Sequence, residues 1–255
     1  VARSSAGESV LTRAVRIFEA FGPDATTLQV TELARRADLH VATASRLVAE
    51  LVSHGLLERG PEREVRIGVR MWELASRASP TLSLREAAMP FLEDLHAVVG
   101  HSVQLGVLDG DEVLFVERLT ARDAVVNYSR IAGRLPPHIT SSGHVLLAYG
   151  APDLLERVLA RPLERYTPHT VGTPEELRAS LAQVRRQGFA LLAGHVHEDA
   201  TGIAVPVRNG LGEVVATMSV VVPNDDRATA QVPALMAAAR GVTRALCGPR
   251  ADRPH

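Results

Sequence analysis

Lysine is absent from this sequence: all 28 of its basic residues are arginine. Cysteine is nearly absent too, with Cys247 alone near the C-terminal end. A single thiol excludes a disulfide framework within the chain and argues against a cysteine metal site, a usage that fits a reducing cytoplasm. No apolar run reaches the roughly 18 residues that a membrane span needs, so no membrane partner is expected. The opening "VARSSAGESV" has no charged region followed by an apolar one, so it does not read as a signal peptide, and a cytoplasmic protein is expected. An excess of one charge is also missing. The 28 basic residues face 29 acidic ones, for a net charge of −1. No global field draws the chain to nucleic acid, so any DNA contact must come from local arrangement. There is no internal repeat and no low-complexity segment.

What is present is an ordinary apolar content, 46% hydrophobic against 22% charged in 255 residues. That supports a core, in one large domain or two smaller ones. Arginine forks onto phosphates and guanine edges, which would suit DNA binding. The plainer source of so much arginine is a GC-rich genome writing arginine codons.

The first part of the chain reads as three helices and a hairpin. "SVLTRAVRIFEAFG" spaces its apolar residues on one helical face, with Ser9 as cap and Gly22-Pro23 as stop. "TLQVTELARRA" (27–37) is predicted as a second helix and "ATASRLVAELVSHG" (42–55) as a third, with Asp38-Leu39-His40 as the bend between them. "LLERGPEREVRIG" then folds as two strands, Leu56–Arg59 against Val65–Ile67. This order is that of a winged helix–turn–helix. Ala34 is small enough for close approach of the two helices. Asp38 stands where the turn calls for a left-handed residue. Leu39, Ala44 and Leu47 face the core.

Such a unit presents the start of its second helix to base edges while other elements grip phosphate. His40, Thr43 and Ser45 are the groove-facing candidates; Val41 and Ala42 can touch only thymine methyls or sugar. Arg35, Arg36, Arg46 and the wing residues Arg63 and Arg66 are the phosphate candidates. Residues 1–75 carry ten arginines and ten acids, so charge alone does not separate a DNA-binding unit from a protein-docking one. The order of elements favours DNA.

"VRMWELASRA" (69–78) is a fourth helix, "SPTLS" interrupts it, and "LREAAMPFLEDLHAVVG" (84–100) begins a new unit. The rest alternates strands and helices. A hairpin over 102–119 turns at Asp109-Gly110-Asp111, and a third strand covers "AVVNYSRI" (124–131). Later strands cover 189–196, 202–209 and 213–222, with helices over 152–160 and 174–188 and a last one from about Arg227 to Leu246. The fold class is therefore α+β, an antiparallel sheet carrying helices. "VVATMSVVV" is too apolar for a face in water, so the sheet should be largely covered.

"TSSG" opens the helix after "RLPPHI". Its free N–H groups and the hydroxyls of Thr140, Ser141 and Ser142 suit a carboxylate. Ser142 and His144 do not make a hydrolase: they lie two apart on one helix, and there is no nucleophile elbow. In "GHVHEDATG", His195 and His197 would share a face of a strand, beside Glu198 and Asp199. A structural zinc usually takes four ligands and no cysteine helps, so the stretch reads as an exposed polar loop. No catalytic residue, metal or cofactor is expected.

Across nearly its whole length the chain resembles the IclR family of bacterial transcriptional regulators. The resemblance lies in "SVLTRAVRIFEAF", "VTELARRADLHVATASRLVAELVSHGLLER", "RIGVRMWELASRA", "LREAAMPFLEDLH", "GDEVLFVERL", "GRLPPHITSSGHVLLAY", "RRQGFAL" and "IAVPVRNGLGEVVATMSVVVP", in that order. It implies a winged helix–turn–helix domain (8–68), a connector helix and hinge (69–83), and an effector-binding domain of GAF-like architecture (84–248). It implies homodimers, often paired into tetramers, whose affinity for double-stranded operator DNA is set by a small molecule. Carried over by segment, the effector positions are Ala124, Asn127, Ser141, Ser142, Leu192, Gly202, Ser219 and Val221.

The chain departs from the family at points that matter. Where relatives often carry Pro, Lys and Ser it has His40, Val41 and Ala42, while Thr43 and Arg46 match. Where they often carry an Asp and a pair of acids it has Leu192, Gly194 and His195. A common cysteine is Gly202, and one of two serines is Val221. A roomier and more apolar pocket is expected, suited to an aromatic or alicyclic acid or a larger metabolite.

Overall fold

The computed structural model describes residues 8–22, 25–77, 80–121, 125 and 131–248. The chain divides into two compact units, Val1–Leu82 and Ser83–His255.

In the first unit, α1 (Val10–Glu19) is capped by the Ser9 hydroxyl, which accepts from Thr12 N–H. Next come β1 (Thr27–Leu28), α2 (Val30–Arg36) and α3 (Val41–Ser53). The sequence placed Thr27 and Leu28 in the second helix; they are instead a short strand. Gln29 is extended and starts the helix. Leu28 is buried as it pairs with Val65, and Thr27 pairs with Arg66. The wing is thereby three-stranded, β1 beside β3 (Val65–Ile67) beside β2 (Leu57–Arg59). A β-branched residue followed by leucine is well suited to an edge strand, and pairing overrides the helical spacing.

The turn between α2 and α3 is as the sequence demands. Asp38 adopts φ +49°, and Leu39 N–H returns to the Ala34 carbonyl at 2.8 Å. Ala34 and Ala44 are buried, and Leu33, Val48 and Ile17 of α1 complete the centre of the core. α4 (Val69–Arg77) buries no residue at all, and Val69 and Trp72 are more than half exposed.

In the second unit, α5 runs Pro80–Val99, four residues longer at its start than the sequence indicated. Pro80 does not interrupt a helix here; it opens one, where its missing N–H costs nothing. The sheet is six-stranded and antiparallel, in the order β6 (Arg134–Leu135), β5 (Glu112–Leu119), β4 (Ser102–Asp109), β9 (Val214–Pro223), β8 (Ala200–Arg208), β7 (Ala190–Ala193). The last helical stretch begins as a 3-10 turn (Ala228–Gln231) and continues as α9 (Val232–Leu246). The third predicted strand, 124–131, lies almost wholly outside the described residues.

Alternation along the strands sends two sets of side chains to two faces. Val103, Leu105, Ile203, Val205, Met218 and Val220 pack under α5 and α9. The opposite face meets α6 (Ser141–Tyr149), α7 (Pro152–Leu159) and α8 (Pro174–Gln187). α8 is fixed by a capping box of Thr173 and Glu176 and ends on Gly188 at φ +81°. Both faces are covered, so the inner strands are buried on both sides.

Beneath the start of α6 that second face changes character. Gln104, Gly106, Gly202, Thr217 and Ser219 are small or polar, where the other face is aliphatic. A side chain at Gly202 would stand 3.0 Å from Ser141 Oγ. One at Gly143 would fall 2.1 Å from the Pro137 carbonyl oxygen. Glycine at these points lets the helix start close to both the sheet and the Pro136-Pro137 loop.

Candidate functional site: a helix–turn–helix surface and a buried cavity

The outer face of α3 is set by what its inner face buries. Ala44, Leu47, Val48 and Leu51 point into the core, so Val41, Ala42, Ser45, Arg46 and Ala49 are left exposed. Thr43 is half-buried at the edge. His40 is the N-cap residue, is exposed and makes no side-chain cap bond, so its ring is free to reach outward.

The arginines differ in how they are held. Arg35 and Arg36 both donate to Glu32, at 2.6 and 2.8 Å, and Arg36 also reaches the Ala20 carbonyl. These bonds hold the Glu32 carboxyl down to about 2, far below an ordinary carboxylate. In the wing, Arg66 pairs with Glu58 at 2.9 Å, and Glu58 also accepts from Val69 N–H. Arg63 stands in the wing turn at φ +62°. Arg46 and Arg63 have no side-chain partner among the described residues. Three of the five arginines thus carry an acidic partner that would have to be shared or displaced at a phosphate. The Glu32 clamp is visible in the sequence only as i, i+3 and i, i+4 spacing.

The second unit contains a cavity of about 520 Å³, open mouth included. Of the effector positions named from the sequence, Thr140, Ser141, Ser142, Leu192, Gly202 and Val221 line it. Ser219 does not; it lies one step along the strand and donates to Gln104, which does line the cavity. Ala124 and Asn127 fall outside the described residues. Phe115, Leu135, Ile139 and Val196 add apolar wall, and Gln104, His195 and His197 add polar groups that the sequence had not assigned to a pocket.

α6 aims its N-terminus at this space. Thr140 is the cap: its hydroxyl accepts from Gly143 N–H at 3.0 Å and its carbonyl from His144 N–H. The N–H groups of Ser141 and Ser142 find no acceptor among the described residues. Ser142 Oγ, on a residue only 1% exposed, is likewise unpartnered. A buried hydroxyl without a partner costs free energy, so the site is built to be completed by something else. Among the described residues the lining holds no arginine and no carboxylate.

His144, next along the helix, is structural. Its Nε2 donates to the His138 carbonyl at 2.8 Å and its Nδ1 accepts from Ser180 Oγ at 2.8 Å. Burial drives it down to about 4, so it is neutral at ordinary pH. Its ring meets His195 edge-on, 6.1 Å between centroids.

The stretch 194–199 corrects an expectation. Glu198 and Asp199 are exposed, as an open polar loop would have them, but His195 is half-buried against the cavity. The backbone here is pinned: Thr170 Oγ1 donates to the His195 carbonyl and Thr167 Oγ1 to that of Gly194. Two threonines far off in sequence thus turn the loop inward, which local spacing could not reveal.

Comparison with known proteins agrees with this geometry. The IclR helix-turn-helix domain matches residues 10–61, and the bacterial transcriptional regulator IclR C-terminal domain matches residues 77–248. The HTH-type transcriptional regulator XynR of Escherichia coli is 32% identical over 209 residues, 81% of this chain and 83% of that protein. BhcR of Paracoccus denitrificans is 30% identical over 257 residues, covering 98% and 91%. The crystal structure of an IclR homologue from Microbacterium hydrocarbonoxydans, complexed with 4-hydroxybenzoate, is 45% identical with a TM-score of 0.89, covering 93% of this chain and 99% of that one.

Proposed function

The chain belongs to the IclR family of bacterial transcriptional regulators, a non-enzymatic family, and from that membership we propose a repressor released from, or held on, operator DNA by a small organic acid. The observation that carries the carboxylate is the start of α6. Two uncommitted N–H groups and the buried, unpartnered Ser142 hydroxyl converge on a cavity with mostly apolar walls. A helix N-terminus favours an anion, and apolar walls favour an aromatic or alicyclic body. The 4-hydroxybenzoate bound by the Microbacterium homologue makes that acid the first candidate. Thr140, Ser141, Ser142, Leu192, Gly202 and Val221 are the contact residues we assign, with Ser219 supporting through Gln104.

On the DNA side, Thr43, Ser45 and His40 are assigned to base edges. Arg46 and Arg63 are assigned to phosphates, with Arg35, Arg36 and Arg66 joining once their acids are shared. Few side chains read bases, so affinity should rest on two copies binding together. Recognition helices of a dimer enter successive major grooves about 34 Å apart. The unburied α4, with Val69 and Trp72 outward, and the exposed Leu11 and Val15 of α1 supply apolar surface for a second copy. Effector and DNA then shift each other's affinity by one coupling free energy, of order 1–3 kcal/mol.

The test is fluorescence anisotropy on the duplex upstream of the protein's own gene, at two salt concentrations, with and without 4-hydroxybenzoate. Binding that the acid changes severalfold supports the reading. Binding to no duplex under any condition overturns it.

A further inference from the structure

Ser142 Oγ is not the one orphan in the cavity. His195 Nδ1 is also buried without a hydrogen-bond partner, on a residue that lines the same space. Its setting is rigid. Gly194 turns the chain at φ +72°, the two threonine bonds hold the carbonyls of Gly194 and His195, and the His144 ring stands edge-on beside it. An imidazole kept in place at this cost in unmade bonding is pre-organised for a partner that arrives from outside.

We propose that His195 is a specificity-determining residue of the effector site, hydrogen-bonding an uncharged polar group, a hydroxyl, so that the cavity selects hydroxylated aromatic monocarboxylates. This rests on the carboxylate reading given above and deepens it.

Charge decides the class. The described lining contains no arginine, and the sequence contains no lysine, so the start of α6 is the one source of positive potential described there. One carboxylate uses it. Among the described lining residues a second carboxylate would meet no cation, and burying it there is strongly unfavourable. His195 does not supply that cation: burial, with His169 nearby, drives it down to about 4, so it is neutral at ordinary pH. A neutral imidazole carries one donor and one acceptor, the tautomer deciding which of the two is Nδ1, and Nδ1 is uncommitted. A hydroxyl can serve either role. A ligand without one leaves Nδ1 as unsatisfied as it was before.

The experiment is calorimetric titration of the full-length chain with benzoate, 3-hydroxybenzoate, 4-hydroxybenzoate and benzene-1,4-dicarboxylate. At least one hydroxybenzoate should bind about tenfold or more tightly than benzoate, the worth of one buried hydrogen bond. The dicarboxylate should bind more weakly than benzoate. In His195→Phe that preference, read as the ratio of hydroxybenzoate to benzoate affinity in the same variant, should fall to within about twofold. His195→Asn, which can still hydrogen-bond, should restore part of it. Ser142→Ala should weaken all the acids together and leave their order unchanged. A wild-type protein that binds benzoate and both hydroxybenzoates alike overturns the role of His195 and leaves the carboxylate reading standing. So does a preference that survives His195→Phe. If no acid binds, the carboxylate reading falls and takes this proposal with it.

Discussion

His144 ties the stability of the second unit to pH by an amount that can be worked out. It is completely buried, at 0% exposed, and burial holds it near 4 against an ordinary value of 6.5. Unfolded, it takes up a proton as pH falls through 6.5; folded, it does not until about 4. Between those values the unfolded state binds more protons, so stability falls as pH falls. The contribution is intact above about pH 7.5, is down by about 2 kcal/mol at pH 5, and has lost about 3 kcal/mol by pH 4, at about 1.4 kcal/mol per unit. Protonation would also put a donor on Nδ1, where Ser180 now donates. The assay is urea unfolding from pH 8 to 4, followed by far-UV circular dichroism, on wild type and on His144→Gln. The glutamine keeps a donor and an acceptor but cannot take up a proton. Carboxylates titrate alike in both proteins, so the difference between the two curves isolates His144. A difference that grows by 2–3 kcal/mol on acidification is expected; two parallel curves would refute the argument.

Gly143→Ala places a Cβ 2.1 Å from the Pro137 carbonyl oxygen and 2.3 Å from its Cα, both backbone. It should lower stability by about 2 kcal/mol or more and abolish acid binding in the same titration. Gly106→Ala meets side chains alone, the Thr217 hydroxyl at 3.0 Å, Val113 Cγ1 at 3.3 Å and Ser142 Cβ at 3.6 Å, and should be milder, so equal melting temperatures for the two would count against the close-packed helix start. Glu32→Ala releases Arg35 and Arg36 toward phosphate. The slope of log affinity for DNA against log salt should steepen by about 1–2 per subunit, and an unchanged slope would mean those arginines stay off the backbone. Arg46→Ala should weaken binding to all duplexes alike, whereas Thr43→Ala or Ser45→Ala should change which sequence is preferred. Identical behaviour of all three in a competition assay would undo the division between phosphate and base contacts.

Much of the fold was legible because it is locally coded. The Ser9 cap, the left-handed Asp38, the Asp109-Gly110-Asp111 hairpin and the Gly188 stop act within a few residues of themselves. The misreadings fell where a distant partner decided. Thr27 and Leu28 are a strand because β3 lies beside them. The signal for a cavity was weaker, but present. "TSSG" announced a helix start and supplied Thr140, and the positions carried over from the family put five described residues on its wall. Gln104, Phe115 and His195 went unassigned because each comes from a different strand or loop, and only the order of strands in the sheet brings them to one place.

The sequence by itself determined two α+β units, a turn that can only be a helix–turn–helix bend, and a helix start suited to an anion. Those follow from dihedral preference, periodicity and capping, which are short-range. The tertiary structure alone decided which polar groups were left without partners. Ser142 and His195, from a helix start and a distant loop, were buried beside one cavity with nothing to bond. Satisfaction of a buried polar atom depends on every group within reach in space, and the order of residues along the chain does not record that.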